Sequence, residues 1–438
     1  MALFGTDGVR GLAGSYLSAD LALALGRAAA TMSPAEVPQV LIVRDTRESG
    51  EMLESALAAG IAAAGGHALL GGVLPTPGAA LLLRRYEFDL AAVVSASHNP
   101  YEDNGIKFFG PGGVKTDDAQ EAEMERLVEA GAAAGGERPM GRVREFHGAE
   151  ADYSRELELR FRDLDLSGRR VLLDCANGAT HRVAPEMFRR LGADVDAIAT
   201  EPDGRNINAG CGSTHVEALA ARVSEGGYEL GFAFDGDGDR VLAVDRAGKV
   251  VDGDELMALA ALHLREHERL PGHGVAVTVM TNYGFHRAME AAGIEVATTP
   301  VGDRHVIVEL LRRGWALGGE QSGHIIDTGF VPAGDGTAAA LLTLEALAGG
   351  DLAERSAMQK LPQTLVNVRV RDRESLESAT AVWQAVERES AGLEGRGRVL
   401  VRPSGTEPLV RVMVEAPERQ ECEEIAGRLV EAVQNELS

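Results

Sequence analysis

The chain has 438 residues, 45% hydrophobic and 25% charged, which is the composition of a globular protein with about three or four domains. Its formal net charge of −24 argues against nucleic acid or an anionic membrane surface as a partner of the whole molecule. Three widely separated cysteines (Cys175, Cys211 and Cys422) form no disulfide framework or zinc spacing and favour a reducing cytoplasm. No stretch predicts a signal peptide or a transmembrane helix.

Short apolar runs alternate with helical patterns along most of the chain. The predicted strands are 40–43, 90–94, 171–174, 230–234, 241–244 and 274–279, and the predicted helices are 51–65, 183–191 and 285–292. This alternation predicts α/β layers, and its onset recurs at intervals compatible with three similar α/β domains. A C-terminal unit is predicted from strands 365–370, 398–401 and 409–414 and helices 375–389 and 418–436. Polar or glycine-rich stretches at 131–141 and 351–362 are the predicted linkers.

The strongest motif is an acidic loop between two predicted strands, Phe234-Asp235-Gly236-Asp237-Gly238-Asp239-Arg240. Three carboxylates at alternate positions repel each other without a cation, and the glycines let the backbone curl so that all three face one point. Oxygen ligands suit a hard cation such as Mg²⁺. An EF-hand is excluded, since Arg240 and Arg246 stand where its glycine and closing glutamate should be. The alternative is a solvated acidic turn, which seldom needs three carboxylates.

A second motif, Ser95-Ala96-Ser97-His98-Asn99-Pro100, follows the predicted strand 90–94, and Asn104-Gly105-Ile106-Lys107 follows a polar turn. A serine at the carboxyl end of a buried α/β strand is well placed for chemistry. No serine of the chain lies in a G-x-S-x-G elbow, and the adjacent His98 is poorly placed as a general base, so a hydrolase nucleophile is disfavoured. A phosphorylated Ser97 facing the metal loop is more coherent, with Lys107 as acid/base or phosphate clamp. A simple turn is the alternative.

The third motif is Arg402-Pro403-Ser404-Gly405-Thr406-Glu407-Pro408, with Arg411 beyond it, between two strands of the C-terminal unit. Exposed backbone N–H groups, two hydroxyls and arginines can bind a phosphate, while a tight hairpin with a surface arginine is the alternative. Two weaker motifs are Gly318-Gly319-Glu320-Gln321-Ser322-Gly323-His324, which suits a polyhydroxylated ligand, and Gly5-Thr6-Asp7-Gly8-Val9-Arg10-Gly11, which suggests an anion contact. No Walker A or dinucleotide fingerprint is present.

Taken together and in this order, the motifs resemble those of the α-D-phosphohexomutase superfamily over essentially the whole chain. Within it, the sequence is most similar to the branch that acts on glucosamine phosphate. That similarity rests on Gln321, on 202–208 with 211–213, and on Val301-Gly302-Asp303-Arg304. His305 departs from the tyrosine expected after Gly-Asp-Arg.

The resemblance implies four domains: three similar α/β domains with mixed sheets in three layers, and a C-terminal α+β domain, with the active site in a central cleft. We expect a phosphoserine domain at 1–150, a metal-binding domain at 151–253, a sugar-binding domain at 254–362 and a phosphate-binding domain at 363–438.

The resemblance also implies roles for single residues. The catalytic group would be Ser97 (a phosphoserine), His98, Lys107 and Arg10. Mg²⁺ would be held by Ser97, Asp235, Asp237 and Asp239. The substrate contacts would be Asp303, Arg304, Glu320, Gln321, Ser322, Arg402, Ser404, Gly405, Thr406 and Arg411.

The implied reaction interconverts D-glucosamine 6-phosphate and D-glucosamine 1-phosphate through phospho-Ser97 and a bisphosphate, on the route to UDP-N-acetylglucosamine. The alternatives are a phosphomannomutase/phosphoglucomutase, a metal-dependent phosphohydrolase that uses Ser97 transiently, and a non-catalytic sugar-phosphate binder. We expect a phosphosugar as the partner, with no nucleic acid and no membrane. The oligomeric state stays open between a monomer and a homodimer.

Overall fold

The computed structural model describes residues 3–5, 7–131, 138–404 and 407–437. The chain divides into a large unit, residues 1–280 with 294–355, and a small unit, residues 281–293 with 356–438. Within the described ranges no helix has the length and apolar character needed to cross a bilayer. All three cysteines are buried and free.

The first sheet of the large unit contains the strand that leads to Ser97. Its strands are β1 Val9–Leu12, β2 Gln39–Arg44, β3 His67–Val73, β4 Leu90–Val94, β5 Asp103–Gly110, β6 Val114–Lys115 and β7 Val143–Glu145, and its helices are α1 Ala19–Met32, α2 Gly50–Ala63, α3 Thr76–Arg85 and α4 Asp118–Glu129. The strand order is β1-β5-β4-β2-β3-β7, with β6 beside β5. β2 runs parallel to β3 and β4, whereas β5 runs antiparallel to β4, so the sheet is mixed. Every residue of β4 is buried, which explains its uninterrupted apolar sequence.

Two further mixed sheets complete the large unit. The second has β8 Arg170–Asp174, β9 Asp194–Ile198, β10 Leu230–Phe234, β11 Val241–Asp245 and β12 Val250–Val251, with α5 Ala149–Arg160, α6 Val183–Arg190 and α7 Glu217–Gly226 nearby in sequence. The third has β13 Gly274–Thr278, β14 Glu295–Thr299, β15 Leu317–Gly319, β16 Ile325–Asp327 and β17 Val331–Gly334, with α8 Gly253–Glu266, α10 Asp303–Arg313 and α11 Gly336–Leu347. Their orders are β12-β11-β10-β8-β9 and β14-β13-β15-β16-β17.

The small unit combines α9 Tyr283–Ala291 with the C-terminal domain. That domain has strands β18 Gln363–Arg369, β19 Arg398–Pro403 and β20 Leu409–Glu415, and helices α12 Thr380–Gly392 and α13 Arg419–Leu437. The antiparallel order β18-β20-β19 gives the α+β layout that the sequence predicts.

The predicted elements are confirmed, and with one exception their ends differ from the structure by at most two residues. The exception is the predicted helix 375–389, because α12 begins only at Thr380 and a 3₁₀ turn occupies Glu374–Ser378. The side chain of Asp372 accepts hydrogen bonds from Glu374 N at 3.0 Å and from Ser375 Oγ at 2.7 Å. Such local side-chain bonds compete with helical hydrogen bonding and delay the start of the helix.

A buried contact between α5 and α11 supports the acidic loop. The hydroxyl of Tyr153 lies 2.9 Å from both carboxylate oxygens of Asp335. Asp335 caps α11 by accepting from Ala338 N at 2.9 Å, and the next amide, Gly336 N, donates to Gly238 O at 2.9 Å. The start of α11 is therefore fixed from one side by Tyr153 and bonded to the acidic loop on the other.

We expect Asp335→Asn to remove a pH dependence of stability. Burial raises the pKa of Asp335 to about 6, so the folded protein keeps a proton that the unfolded chain loses near its ordinary pKa of 3.8. Wild-type stability therefore falls as pH rises between these values. The asparagine can still cap α11, so the two proteins should be alike below about pH 4 and the variant more stable above about pH 6, by up to about 3 kcal/mol. Chemical denaturation across this range measures the difference, and a constant difference would contradict the assignment.

Candidate active site

Ser97 lies just beyond the carboxyl end of β4 and meets the acidic loop of the second sheet. Its Oγ donates to Asp235 Oδ2 at 2.6 Å, and the residue is only 1% exposed. Its backbone has a left-handed φ of 52°, which is uncommon for a residue with a side chain. The structure thus brings together the serine and the acidic loop that the sequence singled out separately.

The acidic loop is the turn of the antiparallel hairpin β10–β11. Ligand atoms of Asp235, Asp237 and Asp239 lie within 4.8 Å of one another, and the three residues are 1–3% exposed, so the alternative of a solvated turn is wrong. One oxygen each of Asp237 and Asp239 is buried and has no hydrogen-bond partner within the described part of the chain. Buried carboxylate oxygens without partners are costly, and a hard divalent cation would satisfy them. The donor set therefore fits the predicted metal.

Glycines allow the loops to pack this closely. A Cβ on Gly236 would lie 2.5 Å from the carbonyl oxygen of Ser97, and a Cβ on Gly238 would lie 2.5 Å from the methyl group of Thr180. Gly238 also has a φ of +71°, which favours glycine. The Gly-Asp alternation therefore serves backbone packing as well as carboxylate spacing.

Lys107 is a buried cation beside the acidic loop. Its Nζ lies 2.8 Å from Asp237 Oδ2, 3.2 Å from Asp7 Oδ2 and 3.7 Å from Asp239 Oδ2. Burial opposes the charge, but the carboxylates of Asp237, Asp7 and Asp239 outweigh it and raise the pKa of Lys107 above its ordinary value. Of the two roles considered for Lys107, these contacts favour a fixed positive charge over a general base.

Two arginines and a histidine complete the surroundings of Ser97. Arg10 forms an ion pair with Asp7, and the backbone N–H of Arg240 donates to Asp235 Oδ1 at 3.1 Å. His98 Nδ1 lies 3.2 Å from Ser97 Oγ. Burial, with the charges of Arg240 and Arg10, lowers the pKa of His98 to about 4. A neutral imidazole at this distance can accept a proton, despite the adjacency in sequence that disfavoured it.

The predicted sugar loop is the turn between β15 and β16. Glu320 accepts from Gly302 N at 3.1 Å, Gln321 Nε2 donates to Asp254 Oδ2 at 3.1 Å, and Ser322 is exposed. His324 Nδ1 lies 3.7 Å from Asp239 Oδ2. The loop therefore reaches the acidic loop through His324, which the sequence analysis did not select.

Asp303 and Arg304, predicted as substrate contacts, form ion pairs with the first domain. Lys115 Nζ lies 2.5 Å from Asp303 Oδ2, and Arg304 pairs with Asp118 and, at 2.5 Å, with Glu121. In this structure both side chains link α10 to the region of α4.

The predicted phosphate loop joins β19 and β20 in the small unit. Arg402 and Arg411 are Cα partners across the two strands, and burial together with Arg411 lowers the pKa of Arg402. Ser404 is 2% exposed, and its carbonyl oxygen accepts from Arg373 at 2.8 Å. Two facing cations repel each other and favour an anion between them. Gly405 and Thr406 lie outside the described residues.

Other residues at the site were missed by the sequence analysis. Thr76 at the start of α3 donates from Oγ1 to Asp237 Oδ2 at 2.7 Å, and Asp45 and Arg47 follow β2. Because β2 is the parallel neighbour of β4, the residues after both strands meet at one edge of the sheet. The polar segment after the predicted strand 40–43 was the signal that could have identified Asp45 and Arg47.

Comparison with known protein families matches four consecutive segments of the chain. Models of the phosphoglucomutase/phosphomannomutase family match residues 1–134 (alpha/beta/alpha domain I), 151–248 (domain II), 252–365 (domain III) and 365–432 (C-terminal domain). The chain belongs to the phosphoglucomutase/phosphomannomutase family. It is therefore a phosphosugar mutase with three α/β domains and a C-terminal domain.

Individual relatives resemble this chain over nearly its whole length. The phosphoglucosamine mutase of Desulforudis audaxviator is 51% identical over 99% of this chain and 98% of its own. A phosphoglucomutase/phosphomannomutase family protein from Burkholderia thailandensis has a TM-score of 0.84 at 25% identity, covering 99% of this chain and 97% of that one. Aspergillus fumigatus N-acetylphosphoglucosamine mutase, solved with GlcNAc-6P and magnesium, has a TM-score of 0.68 at 18% identity, covering 100% and 96%, and supports the fold alone.

Proposed function

We propose that this chain interconverts D-glucosamine 6-phosphate and D-glucosamine 1-phosphate. Curated relatives that are 46–51% identical over 98–99% of the chain are named phosphoglucosamine mutase, which supports glucosamine phosphate over glucose or mannose phosphate. The observation that carries the chemistry is the hydroxyl of Ser97, 2.6 Å from a buried aspartate of the acidic loop. A serine in this position can carry a phosphoryl group beside a bound cation.

The two ends of the sugar are too far apart for direct internal transfer, so the enzyme exchanges phosphoryl groups with the substrate. The bond between Ser97 Oγ and phosphorus breaks while the free sugar hydroxyl forms a new O–P bond and loses its proton. The resulting bisphosphate turns over, and its other phosphoryl group returns to Ser97 by the reverse step. Phosphoryl transfer depends on positioning and charge neutralisation more than on covalent assistance by the protein.

The acidic loop supplies the ligands for the ion, and we propose that Mg²⁺ is bound by Asp235, Asp237, Asp239 and an oxygen of phospho-Ser97. When bound, such an ion neutralises charge on the phosphoryl oxygens. Lys107, Arg10 and Arg240 add fixed positive charge on the protein side. His98 is the residue best placed to hold the proton that the sugar hydroxyl loses, given that its Nδ1 lies 3.2 Å from Ser97 Oγ.

The remaining contacts position the sugar and its second phosphate. We propose that Glu320, Gln321 and Ser322 bind sugar hydroxyl or amino groups. The facing pair Arg402 and Arg411, with the loop that follows Arg402, binds the phosphate that does not react. Three buried, free cysteines fit a cytoplasmic enzyme.

Burial of the reacting groups favours transfer over hydrolysis. Ser97 and the three aspartates are 1–3% exposed, so the site holds the serine and its metal ligands away from bulk water. A phosphohydrolase needs a water molecule at this place, and a non-catalytic binding protein has no need for a strained, buried serine beside three carboxylates. Both alternatives are therefore less consistent with the site than a mutase.

The proposed activity is tested by assaying the phosphorylated enzyme on glucosamine, glucose and mannose 6-phosphates. We expect the glucosamine ester to give a kcat/KM at least about 10-fold above the other two, because its amino group can be recognised directly. Inorganic phosphate is measured in the same reaction and should stay a minor product. A preference for glucose or mannose phosphate would favour the phosphomannomutase/phosphoglucomutase alternative, and stoichiometric phosphate release would favour a hydrolase.

A further inference from the structure

The loop that carries Ser97 adopts a conformation that its own sequence does not favour. Ser97 has a φ of 52°, and its neighbours His98, Asn99 and Pro100 bring no glycine to relax the turn. A residue with a side chain stays in this region only when its surroundings fix it. The surroundings that fix Ser97 therefore also set where its Oγ lies.

Arg47, in the loop after β2, is the main support. Its side chain is fully buried and paired with Asp45, whose side chain is also fully buried. Its guanidinium donates to Asp45 Oδ2 at 2.9 Å and to the carbonyl oxygens of Ser97 at 3.0 Å, Asn99 at 2.8 Å, Asp103 at 2.9 Å and Pro100. These acceptors account for all five N–H groups of an arginine. A lysine keeps the charge but cannot bond so many carbonyl groups.

The other backbone group of Ser97 is bonded as well. Ser97 N donates to Ser95 Oγ at 2.9 Å, and Ser95 Oγ donates to Asp45 Oδ2 at 2.6 Å. The same oxygen of Asp45, Oδ2, therefore accepts from both Arg47 and Ser95 and orients both side chains. The N–H and the C=O of Ser97 are thus both bonded, directly or through one residue, to the same buried ion pair.

A second support comes from the metal-binding domain. Asn208 Nδ2 donates to Ser97 O at 2.9 Å and to Asn99 O at 3.1 Å, and the residue is 6% exposed. Because Gly236 of the acidic loop also packs on Ser97 O, the serine loop and the acidic loop share one set of contacts.

We propose that Arg47 and Asn208 are positioning residues for phosphoryl transfer, which hold the Ser97 hydroxyl in line with the acidic loop. The proposal rests on the proposed function. Neither Arg47 nor Asn208 forms a hydrogen bond with Ser97 Oγ, so both act through the backbone carbonyl of Ser97. The structure thus assigns to Arg47 and Asn208 a role in setting the turnover rate rather than in binding substrate.

The test compares Arg47→Lys and Asn208→Asp with two matched control variants, both in the large unit. Arg355→Lys removes another buried arginine fork, one that pairs with Asp245 at 2.9 Å and Glu255 at 2.8 Å. Asn206→Asp changes an asparagine of the same loop whose Nδ2 donates to Glu201 O at 2.9 Å. Thermal denaturation gives the folded fraction, and mass spectrometry gives the fraction phosphorylated on Ser97.

We expect kcat per phosphorylated enzyme to fall about 100-fold in Arg47→Lys and about 10-fold in Asn208→Asp, because a displacement near 1 Å costs about that much. KM should stay within about threefold of wild type, since the substrate contacts lie on other loops. The controls should keep wild-type kcat even where their melting temperatures fall. If Arg47 and Asn208 had a purely structural role, their substitution would change the melting temperature and leave kcat unchanged.

A second measurement separates this proposal from the choice of substrate. Phosphorylation of the dephosphorylated Ser97 by glucose 1,6-bisphosphate is followed by mass spectrometry, and this rate should fall in the same two variants. That rate tests the position of Ser97 even if glucosamine phosphate proves to be the wrong substrate for the wild-type enzyme. Wild-type rates of both kinds in Asn208→Asp, or equal losses in Arg355→Lys and Arg47→Lys, would overturn the proposal.

Discussion

Replacing Ser97 with alanine should lower turnover by at least about 10³-fold, because the variant has no group to carry the phosphoryl between the two ends of the sugar. The wild-type protein, incubated with glucose 1,6-bisphosphate, should gain the mass of one phosphoryl group, and the variant should not. Alanine tolerates the left-handed backbone about as poorly as serine, so the fold should suffer little beyond the lost hydrogen bond to Asp235. Intact-mass analysis and the coupled assay measure the two effects.

A matched control is Ser154→Ala. Ser154 is also buried, at 4% exposure, but it lies in α5 rather than at the site, so its loss should leave turnover within about threefold of wild type. Substantial activity in Ser97→Ala, or a phosphoryl group found on another serine of active wild-type protein, would contradict the phosphoserine mechanism.

Local patterns in the sequence predicted nine strands and five helices, and the structure has a strand or a helix at each of these positions. The all-apolar run 90–94 is β4, and the hairpin around the acidic loop has the predicted strands, because burial on both faces selects apolar residues in strands. The three carboxylates of the acidic loop, with glycines between them, all lie in one short segment, so the pattern that indicates a metal site is visible within that segment alone. Such a signal needs no knowledge of the tertiary fold, and the buried cluster of three aspartates was predictable for that reason.

Contacts between distant segments could not be predicted in this way. Arg47 is 50 residues from Ser97 and Asn208 is 111 residues from it, and although both lie in polar segments of the sequence, nothing local shows that these segments contact the Ser97 loop. The ion pairs of Arg304 with Asp118 and Glu121 are equally long-range. For His98 a local feature was misleading. Its adjacency to Ser97 in the sequence suggested that it is poorly placed as a general base. In the structure Ser97 has a left-handed backbone, and His98 Nδ1 lies 3.2 Å from the Ser97 hydroxyl oxygen.

Asp235→Asn should weaken metal binding without destabilising the metal-free protein. Without a divalent cation, three buried carboxylates lie within 4.8 Å of one another, and Lys107 makes its shortest contact with Asp237 rather than Asp235. Removing the charge of Asp235 relieves repulsion, while an amide oxygen can still accept from Arg240 N. After chelation, the variant should therefore be at least as stable as wild type. Turnover should fall sharply, because one anionic ligand has become neutral.

The response to Mg²⁺ separates this effect from ordinary destabilisation. At a concentration 100 times its dissociation constant, the ion stabilises a wild-type site by about 2.7 kcal/mol, and a variant with about 100-fold weaker affinity gains only about 0.4 kcal/mol at the same concentration. Asp174→Asn is the control, since Asp174 is equally buried at the end of β8 but accepts from Ala176 N at 3.0 Å and Gly212 N at 2.8 Å. Asp174→Asn should be less stable than wild type both with and without the ion. Mg²⁺ should still stabilise it by the full wild-type increment. A full Mg²⁺ increment in Asp235→Asn would show that Asp235 is not a ligand, and the buried cluster would then need another explanation for its unpartnered oxygens.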